Sequence, residues 1–311
     1  MAGRLAQAEA SQPGAAGAWL LVRKGALRQA GKPMEFSGMS VAGVETCIEV
    51  PALRLVLDMG RCTRTAVHQP LVLLSHGHLD HMGAIAQHAA RRAMMHMGES
   101  TYLVPRAVAR DVEELFNAAG RLDGQVIPRR IVPLAPGESF SLGKQRWVRP
   151  FETYHRVPSQ GYTVWEARHR LRAEFRGLPG ERLRELRKQG VSLDESHETP
   201  LLSFTGDTRS EVLERTPELQ QTEALVLETT FLDDLVSVEG ARSTGHIHLT
   251  EVLERAELLP PGQVVFSHFS ARYTSADVRR IVLARVPEAL RARLLVFGLD
   301  APELPVDARS G

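Results

Sequence analysis

The segment SHGHLDH, Ser75–His81, sets four metal-ligand side chains within six positions: His76, His78, Asp80 and His81. Imidazole together with carboxylate suits zinc, with manganese or iron as alternatives. If the segment continues a strand, His76 and His78 point to one side at period two. Asp80 and His81 then turn toward a second position, where a helix begins. One loop can in this way feed two adjacent cations, as a two-metal hydrolase requires. Gly77 removes a side chain where ligands would crowd most. A solvated polar loop is the bland alternative, and four ligand types in six positions argue against it. A second close pair, His246 and His248 in GHIHLT, either joins the same metal or does something else.

Elements must hold such a loop in place. LVLL (71–74) reads as a buried strand running straight into it, and MGAIAQHAARRA (82–93) as the helix after it. TCIEV (46–50), LRLVLD (53–58) and TYLVP (101–105) read as further strands, and 106–120 as an amphipathic helix ending at Gly120. The second half repeats the style. Its strand-like segments are 146–151, 162–167, 201–204, 224–227, 263–266 and 293–297. Its helix-like segments are 185–189, 249–259 and 275–286. Alternating strands and helices predict an α/β fold, and two similar halves of sheet plus outer helices make an αββα sandwich. Three more ligand types fall just past strand ends, where such folds place their sites: His155, Asp207 in FTGDT and His268 in FSHFSARY. An aspartate such as Asp207 can bridge two cations through its two oxygens.

Composition narrows the partners. The 311 residues are 43% apolar and 24% charged, with net charge +1, which excludes RNA binding by overall charge while allowing a local basic groove. The two cysteines, Cys47 and Cys62, have no paired spacing; buried free thiols in a reducing, cytoplasmic compartment are expected. No apolar run is long enough for a membrane span, and AWLLV (18–22) is too short for a signal-peptide core. Residues 1–33 are expected to form a mobile extension, 34–299 the folded unit, and 300–311 a loose tail.

HGHLDH, YHRVPSQGY, FTGDT, LETTF and SHFSARY together resemble the successive motifs of the ribonuclease Z enzymes, tRNA 3′-processing endonucleases of the metallo-β-lactamase fold. ETCI, LDMGRC, TFLDD, GHIHL and HFSARY are most similar to the short, plant-type branch. The resemblance spans about residues 35–298. It implies two zinc ions per subunit, one held by His76, His78 and His155, the other by Asp80, His81 and His268, with Asp207 bridging. It implies attack on phosphorus by a metal-bound hydroxide, with Asp80 orienting or deprotonating the nucleophile. It implies an acid relay of a glutamate and a histidine outside the metal shell, matched here to Glu228 in LETTF and to His248 in HLT. His246 is then a supporting neighbour of the site or a structural histidine. A homodimer acting on precursor tRNA is also implied.

Two departures from the family pattern stand out. The stretch SGMSVAGVETC (37–47) lacks the PxKxRN-like loop associated with rejecting tRNAs that already carry CCA. The interval that holds the family's tRNA-gripping arm is short and basic, at about 168–190. It carries Arg168, Arg170, Arg172 and Arg176 as candidate phosphate contacts, with Glu174, Glu181 and Glu185 interleaved. Arg272 in HFSARY is a further candidate. The competing functions are a small-molecule hydrolase (lactonase, thioesterase or general phosphodiesterase) and a non-catalytic RNA-binding protein on the same fold.

Overall fold

The computed structural model describes residues 19–20 and 33–297. Strands and helices are numbered in chain order. One mixed sheet runs β14 (Phe269–Ser270), β2 (Ser37–Ala42), β3 (Glu45–Val50), β4 (Leu55–Leu57), β5 (Leu71–Leu73), β6 (Ser100–Pro105) and β7 (Arg129–Leu134). The other runs β1 (Trp19–Leu20), β15 (Leu294–Val296), β13 (Gln263–Ser267), β12 (Ala224–Glu228), β11 (Asp194–Phe204), β10 (Gln160–Leu171), β9 (Arg146–Glu152) and β8 (Phe140–Gly143). Each sheet has a parallel centre, β4–β5–β6–β7 in one and β11–β12–β13–β15 in the other, with antiparallel hairpins beside it.

The period-two pattern of the strands decides the layering. In β4, Leu55 and Leu57 face the opposite sheet and meet Tyr162, Leu202, Phe204 and Val226, while Val56 faces outward with Val72, Tyr102 and Val104. The outward set is covered by α2 (Ile85–Met94) and α3 (Ala109–Asp123), through Ile85, Ala89, Val112 and Phe116. On the other side Leu225, Leu227, Val264 and Phe266 are covered by α7 (Leu249–Glu254) and α8 (Ser275–Arg285), through Leu249, Val252, Ile281 and Val282. The expected αββα order is therefore present as three apolar cores separated by two sheets.

Several boundaries differ from expectation. Trp19 and Leu20, inside the stretch expected to be a mobile extension, pair antiparallel with β15 and lengthen the sheet edge. The expected tail, 300–311, lies outside the described residues. The helix predicted to stop at Gly120 continues to Asp123, because the left-handed residue that ends it is Gly124, at φ +72°. The basic insert is the end of a long antiparallel hairpin. β10 and β11 pair from Tyr162↔Phe204 to Leu171↔Asp194, with one register shift between Val164 and Trp165, and α4 (Gly180–Lys188) caps the tip. No helix among the described residues is long and apolar enough to cross a membrane.

Candidate metal centre

β5 ends at Leu73, and the chain continues through Ser75 into α1 (Leu79–Met82), so the HxHxDH segment spans the strand end and the first turn of a helix. The strand ends of β9, β11 and β13 deliver His155, Asp207 and His268 to the same place. Two groups result that could each hold a cation, His76, His78, His155 and Asp207, and beside it Asp80, His81 and His268; a third combination, Asp207, His246 and His268, shares a residue with each. Asp207 Oδ2 lies between them, 3.6 Å from His76 Nε2 and 3.9 Å from His155 Nε2 on one side. On the other it is 3.3 Å from both His81 Nε2 and His268 Nε2. In the first group His78 Nδ1 is 3.0 Å from His76 Nε2 and 3.3 Å from His155 Nε2.

The residues fit metal ions on three grounds. First, His81 Nε2 and Asp207 Oδ1 are buried with no hydrogen-bond partner among the described residues. Such atoms are costly unless something satisfies them, and a cation among them does so. Second, the outer ring nitrogens of four imidazoles are engaged away from the centre. His81 Nδ1 bonds Asp58 at 2.6 Å, His76 Nδ1 the Ser75 hydroxyl at 2.9 Å, His155 Nδ1 the Gly245 carbonyl at 2.9 Å, and His268 Nδ1 the Thr46 hydroxyl at 3.2 Å. Where the partner is a carboxylate or a carbonyl, Nδ1 carries the proton and Nε2 presents a lone pair to the centre. Third, the backbone is strained there: Asp58 and His268 have φ of +57° and +60°, a conformation that persists only when the surroundings impose it.

Charge is organised around Asp207. Burial pushes its carboxyl up, but His268 and His81 outweigh that and hold it well below the usual range. Burial pushes His81 down, and Asp207 with Asp58 reverses this, lifting it well above an ordinary imidazole. His76 has burial and the neighbouring His81 against its charged form and sits well below 6.5. Burial also lowers His155 and His78.

Asp58, Ser75 and Thr46 were missed as supporting residues in the sequence. Asp58 follows β4 as Asp207 follows β11, so the strand-end signal was present, but its partners are set by tertiary contact. It accepts from Ser75 N at 2.7 Å, Ser75 Oγ at 2.8 Å and His81 Nδ1. Through Ser75 it also reaches His76, so one buried carboxylate orients a ligand in each group. The segment that lacks the PxKxRN-like loop is a tight β2–β3 turn, and its Gly43 N–H donates to Asp80 Oδ2 at 2.8 Å.

The expected pairing of Glu228 with His248 is corrected. Glu228 accepts from Thr208 N (2.7 Å), Thr230 Oγ1 (2.6 Å), Ile247 N (3.2 Å) and His246 Nδ1 (3.1 Å). His246 stacks on His268 with ring centroids 5.6 Å apart. Burial presses its pKa down, but the Glu228 carboxylate holds it up to about 9. His248 instead opens α7 as its N-cap. Its Nδ1 accepts from Thr250 N, and its Nε2 bonds the Asp233 carbonyl. The reason is the reversal between two helices. Gly245 ends α6 (Val238–Thr244) in the left-handed region, and Ile247 then plunges into the core, which turns His246 to the site and His248 to the cap.

The arm arginines are not part of the centre. Arg168 pairs with Glu166 and Glu223, Arg170 and Arg176 with Glu195, and Arg172 with Glu174. Arg184 and Lys188 on α4 are exposed with no partner among the described residues. Arg272 is exposed just past β14.

A two-sheet sandwich with a His/Asp centre at its strand ends defines a metallo-β-lactamase-fold protein. Residues 60–269 match the family model described as a β-lactamase superfamily domain. The crystal structure of the metallo-β-lactamase-fold protein YhfI from Bacillus subtilis superposes with TM-score 0.53 at 13% identity, over 92% of this chain and 96% of that one, a likeness of fold alone. The chain is 39% identical to tRNase Z TRZ1 of Arabidopsis thaliana over 279 residues, 89% of this chain and 98% of that protein. It is 36% identical to the chloroplastic tRNase Z TRZ2 of the same plant over 249 residues, 79% of this chain and 70% of that one. The chain belongs to the tRNase Z family.

Proposed function

We propose that this protein is a zinc-dependent endoribonuclease that removes 3′ trailers from precursor tRNA. The observation that carries the reading is Asp207 Oδ2 set between two ligand groups, with a Glu228–His246 pair at their rim, in a chain of the tRNase Z family. His76, His78 and His155 would hold one zinc ion, Asp80, His81 and His268 a second, and Asp207 both. Such ions supply an acidified water near neutral pH and positive charge for the phosphoryl oxygens.

The protein's own side chains do the rest. His246 commits Nδ1 to Glu228, which leaves Nε2 to protonate the departing ribose oxygen. Glu228, fixed by three other donors, keeps that imidazole charged and correctly turned. Asp80 has Oδ2 held by Gly43 N–H at 2.8 Å, which fixes that oxygen 3.5 Å from His81 Nε2 in the second group. At the far end of the β10–β11 hairpin, Arg184 and Lys188 are the free cations among the described residues of α4. The paired arginines behind them can exchange exposed carboxylates for phosphates at small cost. Both cysteines are free and buried, which supports a reducing, cytoplasmic setting. A homodimer completes the proposal and is read directly by sedimentation.

The test is cleavage of a precursor tRNA by purified protein, mapped to the nucleotide, with and without CCA and with zinc measured in parallel. Cleavage at the 3′ end of the acceptor stem is expected. A zinc-loaded protein that turns over thioesters or lactones but no RNA refutes the proposal.

A further inference from the structure

Arg156 follows directly on His155 and belongs to none of the sets above. It is exposed, and no hydrogen bond or ion pair engages its guanidinium among the described residues. Yet its place is built. A Cβ added at Gly245 would lie 3.3 Å from both Arg156 Cγ and Arg156 N, and 2.7 Å from His155 Nδ1. The Arg156 stem therefore lies on the bare backbone of the residue preceding His246. The left-handed φ of +83° at Gly245 keeps that approach open. Arg156 thus stands against the turn that carries His246, one residue past His155, at a rim where His78, His155 and His246 are each partly exposed. An exposed cation fixed beside a centre for phosphodiester chemistry has an anion as its natural partner.

We infer that Arg156 binds the RNA phosphate next to the scissile one, on the side of the leaving ribose, and so selects polynucleotide over small diesters. The inference rests on the endonuclease reading. The side follows from geometry, since Arg156 lies against the turn that carries His246, the donor to the leaving oxygen. Arg156 is a positioning residue here. It grips a neighbouring nucleotide and lets that contact hold the reacting phosphate in line.

The test is a cycle on zinc-loaded protein. The parent, Arg156→Ala and Arg156→Lys are compared on a precursor tRNA and on the same precursor with a neutral methylphosphonate at the adjacent position. Binding of an uncleavable precursor analogue is followed by anisotropy at several salt concentrations. On the normal precursor Arg156→Ala should lower kcat/KM about tenfold, the scale of one charge-assisted contact. The logarithmic salt slope of binding should fall by about 0.7, one single-strand phosphate. Arg156→Lys should recover most of the loss, and zinc content should not move. On the methylphosphonate substrate the ratio of parent to Ala variant should shrink toward one. Equal loss on both substrates, or an unchanged salt slope, overturns the inference. A parent that binds precursor with the expected slope change but never cuts it refutes the endonuclease reading and keeps the contact; one that neither binds nor cuts refutes both.

Discussion

Asp58→Asn keeps volume and backbone but removes the charge that serves both ligand groups. Asn tolerates the left-handed conformation that Asp58 adopts at φ +57°. The carboxylate accepts three bonds, from Ser75 N at 2.7 Å, Ser75 Oγ at 2.8 Å and His81 Nδ1 at 2.6 Å. Burial raises the Asp58 carboxyl above the usual carboxylate range, and the His81 contact and the two Ser75 donors offset part of that rise. An amide offers one acceptor oxygen. If that oxygen stays on Ser75 N, the amide NH2 confronts His81 Nδ1–H. His81 must then move its proton to Nε2, the atom aimed at the second group. Losing such an outer partner costs about 10- to 100-fold in metal affinity, or roughly 1.4 to 2.7 kcal/mol. The loss should fall mainly on one of two zinc equivalents, because His76 is reached only through Ser75. Competition against a chelator, with melting to show that the variant is folded, measures this. A folded Asp58→Asn protein that binds both equivalents as tightly as the parent refutes the argument.

Other expectations follow from the same contacts. His246→Ala should lower kcat about 100-fold or more with zinc content intact, whereas His248→Ala should cost about 1 kcal/mol of stability, as a lost cap does. Equal kinetic loss in both variants would show that the pairing with Glu228 is not what matters. With His246 at about 9 and acting as an acid, activity should fall as pH rises through about 9; Glu228→Gln should bring that limb to lower pH, and an unmoved limb assigns it elsewhere. The raised pKa also adds stability that is complete below about 6.5 and lost as pH climbs through about 9, readable in melting curves. Gly245→Ala must place a Cβ 2.7 Å from His155 Nδ1 in a left-handed conformation, so weaker zinc binding and about 1–3 kcal/mol of lost stability are expected; a parent-like zinc titration would contradict this.

Much of the centre is local, and for that reason the sequence carries it. HxHxDH needs only a strand end and a helix start in succession, and both are written in the apolar pattern of LVLL and the residues after His81. The single residues past later strands, His155, Asp207 and His268, are found by the same strand-end logic. The apolar alternation in LRLVL already contains the two-faced burial that separates the cores. What the sequence could not carry depends on side-chain direction and on register. His246 and His248 are two apart and look equivalent in an extended chain; Gly245 in the left-handed region and buried Ile247 make the chain turn, so that only His246 meets Glu228. The arm arginines read as a free basic patch, yet hairpin register sets Arg170 directly opposite Glu195 and neutralises it. Residue types and their local spacing determined which chemistry the chain can perform. Contacts between residues far apart in sequence decided which imidazole holds the proton and which cations stay free, because a side chain's direction is fixed by what packs behind it.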